Sequence, residues 1–209
     1  NHTFLPRRAY LSFEEIEKVV TACRPLGLEK VRITGGEPLL RPDLHDLISR
    51  ISSTGVEVAL TTNASLLSGQ APQLADAGLD RVTVSLDALD PKIHSQMTDS
   101  SIPVEVVLGG IDAALEAGLS PVKVNCVVQR GVNETEVAPL VRRFKGTGVT
   151  VRFIEYMDVG RTNGWQLGQV VPSADLLRYL QEEFELEPVE SSRPSDVARR
   201  WAHSDGSGE

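Results

Sequence analysis

The sequence predicts an α/β fold, a partial parallel β/α barrel, and three observations predict it. Segments of strand periodicity alternate with segments of helical periodicity from residue 12 to residue 155. A glycine closes most of the helical segments just before the next strand. The strands carry one apolar and one polar face, whereas strands covered by helices on both faces read as nearly continuous apolar runs.

In chain order, residues 1–10 read as loop. Ser12 with Glu15 three residues on forms a capping-box pattern. Ile16, Val19, Val20 and Cys23 then fall at helical spacing, and Pro25 with Gly27 ends the helix. A strand follows over 30–34, with Val31 and Ile33 on one face and Lys30, Arg32 and Thr34 on the other. The next helix spans 43–53 and buries Leu44, Leu47, Ile48 and Ile51. Strand 56–62, helix 70–77 and strand 81–86 come next, with a helix opening at Pro91 over 90–97. Helix 104–117, strand 121–128, helix 134–145 and strand 149–155 complete the pattern. Residues 173–184 form an amphipathic helix with Leu176, Leu177, Leu180 and Phe184. Residues 186–209 are rich in Pro, Ser and Gly and read as a flexible tail.

The polar faces select a barrel whose interior is wet or holds a ligand. Val56, Val58 and Leu60 oppose Glu57, Ala59, Thr61 and Asn63; Val82, Val84 and Leu86 oppose Thr83, Ser85 and Asp87. Val122, Val124 and Cys126 oppose Lys123 and Asn125; Val151 and Phe153 oppose Thr150, Arg152 and Ile154. Five strands are too few to close an eight-stranded barrel. The first helix has no strand before it, so a first strand is expected to precede this sequence. The organisation expected is a barrel core over 1–160 and the start of a C-terminal extension over 161–209.

Composition bounds the function. Of 209 residues, 41% are hydrophobic and 24% charged, which suits one domain with a real core. The formal net charge of −8 argues against a general nucleic-acid or anionic-membrane surface. No apolar run reaches transmembrane length and no secretory signal is visible. Cys23 and Cys126 make no ligand spacing and predict a reducing, cytoplasmic setting with two buried thiols. The N-x-S/T triplets at Asn1, Asn63 and Asn133 are chance matches in that setting.

Lys30 to Pro42 carries the clearest site signal. Strand periodicity breaks at Gly35-Gly36, an acid follows at Glu37, and Pro38 stops the segment. Two glycines let backbone approach a ligand closely, and an acid behind them can take an ammonium group. Lys30, Arg32, Lys123 and Arg152 all fall on inward faces by alternation, and cations enclosed without anions are costly. A polyanion such as a triphosphate would compensate them; alternatively Lys30 sits at the strand mouth in water, and Glu57 and Asp87 neutralise the others. Lys123 also permits Schiff-base chemistry of the aldolase kind. His2, His45, His94 and His203 show no metal-ligand spacing. The glycine-rich segment 156–165 reads as a loop at the barrel mouth, where Met157 can pack against a flat ligand or fill a gap.

Five segments occur here in order: Lys30 to Arg41, Leu-Thr-Thr-Asn at 60–63, Val-Ser-Leu-Asp at 84–87, Val-Lys-Val-Asn-Cys-Val-Val at 122–128 and Val-Arg-Phe-Ile-Glu-Tyr-Met at 151–157. Together they resemble the GTP 3′,8-cyclase family of radical SAM enzymes, which acts in the first step of molybdenum cofactor biosynthesis. The resemblance extends to about residue 185. It implies an incomplete (β/α)6-type TIM barrel whose first strand and C-terminal segment lie outside this sequence. It implies S-adenosylmethionine on a [4Fe-4S] cluster, a second [4Fe-4S] cluster, GTP as substrate, a homodimer and an electron donor. In that family the 5′-deoxyadenosyl radical takes the C3′ hydrogen of GTP and C3′ then bonds to C8. Carried over by position, Gly36, Glu37, Ser85, Asn125 and Met157 would meet S-adenosylmethionine. Lys30, Arg32, Thr61, Lys123 and Arg152 would meet GTP. Neither of the family's cysteine triplets is present, so no cluster ligand is expected in this chain and it should be inactive alone. A radical SAM enzyme acting on a peptide, or a fragment that only binds nucleotide, are the alternatives.

Overall fold

In the computed structural model the described residues are 10–159, 164–190 and 198–209. Residues 1–9 of the first expected loop, and parts of the mouth loop and tail, therefore lie outside them.

Helix α1 (Phe13–Cys23) opens with the expected capping box between Ser12 and Glu15. Then follow β1 (Lys30–Ile33), α2 (Leu44–Ser53), β2 (Glu57–Thr62), α3 (Leu67–Asp76), β3 (Arg81–Ser85), α4 (Pro91–Thr98) and α5 (Val104–Glu116). Next come β4 (Val122–Val128), α6 (Val137–Phe144), β5 (Thr150–Glu155) and α7 (Ser173–Gln181). The first five strands form one sheet in the order β1-β2-β3-β4-β5, every pair parallel. Sequential order is the winding of a barrel wall; a doubly wound sheet reverses direction partway along.

The apolar face is sealed by helices. Val58, Leu60, Val82, Val84, Val122, Val124 and Cys126 are each at most 1% exposed. Ile48, Ile51, Leu67, Leu74, Ile111 and Leu140, from the helices, are buried to the same degree. Each such side chain contributes roughly 1.5–3 kcal/mol by leaving water. Helix α5 packs so closely at Gly110 that a Cβ there would lie 2.8 Å from the carbonyl oxygen of Ala64, in the loop leading into α3.

Four local expectations need correction. Val19 is 56% exposed, because α1 packs against α2 with only a narrow stripe centred on Val20. Cys23 is half-buried rather than buried. Helix α3 starts at Leu67, three residues before the expected start: Leu67 and Ala71 are fully buried, and that burial outweighs the bond lost at Pro72. The expected tail contains β6 (Leu186–Val189) and β7 (Arg200–His203), an antiparallel ribbon. The ribbon is fastened to the barrel wall. Gly146 N donates to Ser207 O at 2.7 Å, Lys145 Nζ meets Asp205 Oδ2 at 2.7 Å, and the Phe184 and His203 rings meet edge-on.

Candidate functional site

The register of the strands stacks the inward side chains in rows. Lys30 pairs with Glu57 in the lowest row, and Arg32, Ala59 and Arg81 form the next. Thr61, Thr83, Lys123 and Thr150 lie above them, then Ser85, Asn125 and Arg152. The C-terminal strand ends are the mouth.

The middle rows gather cations. Arg32 Nη1 donates to Thr61 Oγ1 at 2.9 Å and to Thr83 Oγ1 at 3.2 Å, reaching across two strands. Arg152 Nε donates to Asn125 Oδ1 at 2.9 Å. Burial, then the charge of Arg32, pushes the Arg152 pKa below its ordinary value. Burial, then Arg152 and Arg81, does the same to the Lys123 amine, with the Glu209 carboxylate acting against them. These groups are near enough to repel one another. Among the described residues, no carboxylate pairs with Arg32, Lys123 or Arg152.

Lys30 is placed differently from the other three. Its Nζ lies 3.2 Å from Glu57 Oε1, and Arg81 Nε lies 2.5 Å from the same oxygen. Glu57 thus pairs with Lys30 and Arg81, whereas the alternative charge reading expected Lys30 in water and Glu57 on the other cations. Asp87 does not reach the cations. It sits near the mouth and accepts from Val127 N at 2.7 Å, and burial raises its pKa. Alternation from Thr83 back to Arg81 would have found this arginine, which the sequence reading passed over.

At the mouth, Gly35 has φ +146°, a conformation that side chains rarely adopt, and nothing lies within 4 Å of where its Cβ would be. Gly36 beside it is exposed. Glu37 is committed to the protein. Its Oε1 accepts from Leu39 N (3.0 Å) and Thr62 Oγ1 (2.7 Å), and its Oε2 from Asn63 N (2.7 Å). The carboxylate therefore ties the end of β1 to the end of β2. Ser85, the last residue of β3, is exposed, and Met157, two residues past β5, is 54% exposed. The segment after the mouth loop is pinned nearby: Trp165 Nε1 donates to Tyr156 O at 3.1 Å, and Ser173 N and Oγ donate to Glu155 Oε1.

A buried brace behind the mouth was not foreseen. Asn133 is fully buried; its Oδ1 accepts from Gln129 N and its Nδ2 donates to Asp87 O and Val127 O, each at 2.8 Å. Glu136 accepts from Leu89 N and Asp90 N. Burial, with Asp87 and Glu136 adding to it, pushes the Cys126 thiol far up, so it is an inert packing group. Among the described residues no cluster of three His, Cys, Asp or Glu could hold a metal. None of the helices is long and apolar enough to cross a membrane.

Comparison with known proteins places this geometry. A model described as the Radical SAM superfamily matches residues 1–144. The GTP 3′,8-cyclase of Acidothermus cellulolyticus is 46% identical over 211 aligned residues, covering 100% of this chain and 58% of that protein. The protein of the same name from Xanthomonas axonopodis pv. citri is 49% identical over 95% of this chain and 60% of its own length. The chain thus spans about three-fifths of these curated relatives. Among solved structures, Streptococcus suis SuiB bound to S-adenosylmethionine matches with TM-score 0.64 at 20% identity, over 85% of this chain and 41% of that one. Methylornithine synthase matches with TM-score 0.61 at 14% identity, over 82% and 52%. At such identities these two speak for the fold alone.

Proposed function

The chain belongs to the radical SAM superfamily, and we propose that it is the barrel wall of a GTP 3′,8-cyclase, binding GTP and S-adenosylmethionine on its concave face. One observation carries the reading: Arg32, Lys123 and Arg152 share that face, and no carboxylate among the described residues pairs with them. Three cations, none in an ion pair among the described residues and two of them partly desolvated, fit a triphosphate. The curated relatives named GTP 3′,8-cyclase support the same substrate.

In this reading Thr61 holds Arg32 at working height, and Asn125 does the same for Arg152. GTP would lie along the face with its phosphates toward Lys123 and its nucleoside toward the mouth. S-adenosylmethionine suits the mouth. The open Gly35-Gly36 turn leaves room for a ligand against backbone, and Ser85 and Asn125 are register partners beside it. Glu37 would act chiefly by fixing that turn, with its free lone pairs left for an ammonium group. Met157 would cover the flat base. An iron–sulfur cluster does not fit the residues of this chain: it has two cysteines, one of them the buried Cys126 with its raised pKa. No step is therefore assigned to a cluster here, and the chain alone is expected to bind without turnover. Lyase chemistry, two clusters, a homodimer, an external electron donor and a cytoplasmic setting are carried by the same proposal for the whole enzyme. So is the division into a barrel core over 1–160 and an extension over 161–209.

Calorimetric titration of GTP tests the assignment. Lys123→Ala and Arg152→Ala should each weaken binding about tenfold or more, the scale of a charge-assisted contact. Unchanged affinity in both variants would overturn it. A peptide modified in place of cyclised nucleotide, in an anaerobic assay of the full-length enzyme, would favour the peptide reading.

A further inference from the structure

Arg81 opens β3 on the polar face, one row above Glu57 and one row below Lys123. Glu57 lies closest to it at Nε, and both that nitrogen and the Glu57 oxygen are closed off from solvent without a hydrogen bond. An arginine serving only to neutralise a carboxylate commonly presents two nitrogens to it. Here no nitrogen of the guanidinium makes a hydrogen bond among the described residues, and the side chain keeps 25% exposure. The guanidinium thus sits beside a carboxylate with its hydrogen-bond donors unspent, which suits an anion donor.

Its place fits one end of a chain of phosphates. The mouth, with Ser85, Asn125 and Met157, lies at the C-terminal strand ends, and Arg81 lies at the N-terminal ends. Arg32 and Arg152 reach the face between them. Arg81 lies one row below Lys123 on the neighbouring strand, near enough for the two charges to repel and for one anion to draw on both.

We propose that Arg81, beside Glu57, is a further substrate-binding residue: its terminal nitrogens take the phosphate farthest from the nucleoside and make affinity depend on phosphate number. This rests on the GTP reading of the concave face. The experiment is calorimetric titration of GTP and GMP into the unaltered chain, Arg81→Gln and Arg81→Lys. Arg81→Gln should weaken GTP about tenfold or more while shifting GMP less than about twofold. Arg81→Lys keeps a charge for Glu57 but lacks the fork, so GTP should again weaken and GMP hold; it carries the test if the glutamine variant fails to fold. GTP affinity unchanged in the variants, or GTP and GMP weakened equally, would overturn the proposal. An unaltered chain that binds GTP no more tightly than GMP would overturn the polyanion reading itself, before any substitution is made.

Discussion

Glu37→Ala separates two roles for the acid of the Gly-Gly-Glu-Pro turn. If it serves only a ligand, the free protein should scarcely notice its loss. The structure gives it three donors instead: Leu39 N, Thr62 Oγ1 and Asn63 N. A hydrogen bond to a charged group is worth about 1.5–3 kcal/mol when water cannot replace it. Glu37 is half-buried, so water can reach part of what the carboxylate leaves behind. Counting about 1 kcal/mol per bond after that replacement gives a loss of about 3 kcal/mol. For a domain of this size that corresponds to a fall in Tm of about 6–12 °C. Urea and thermal denaturation of the free chain, followed by circular dichroism, measure it. A loss below about 1 kcal/mol would refute the brace, since it would mean that all three donors find water freely.

Asn133→Ala should cost about 3 kcal/mol, because it strands the buried Gln129 N–H and the Asp87 and Val127 carbonyls; chemical denaturation measures the loss. Asp87 should give the free protein a pH dependence. Its pKa is raised by burial, so between the ordinary value of 3.8 and the raised one the folded state holds a proton that the unfolded state has lost. Stability from this group is complete below 3.8 and is lost as pH rises through the raised value; Asp87→Asn should flatten that slope in a series of urea melts.

Much of the barrel wall was legible because both of its signals are local. Helical spacing over 43–53 and the alternation in each strand survive in the structure since each strand has helices on one side and the site on the other. Lys123 and Arg152 were found by alternation alone. Arg81 obeys the same alternation but sits at the first residue of its strand, where the polar face was counted only from Thr83. That Glu57 would claim Lys30 and Arg81 depends on cross-strand register, which periodicity within a single strand does not specify. Asn133 gave no signal either, since a lone Asn after a strand also reads as a turn residue. The ribbon β6–β7 was hidden for a related reason. Its strands are four residues each, one contains Pro188, and their pairing is long-range.

The central claim is that the concave face of the sheet is where GTP binds. Acetylation of the chain with an amine-reactive anhydride, with and without saturating GTP and read by mass spectrometry, tests it at one atom. The depressed pKa of Lys123 makes its amine available to the reagent, and Lys18 on the exposed side of α1 is the internal control. GTP should protect Lys123 and leave Lys18 unchanged. Equal labelling of Lys123 in the two samples would contradict the account.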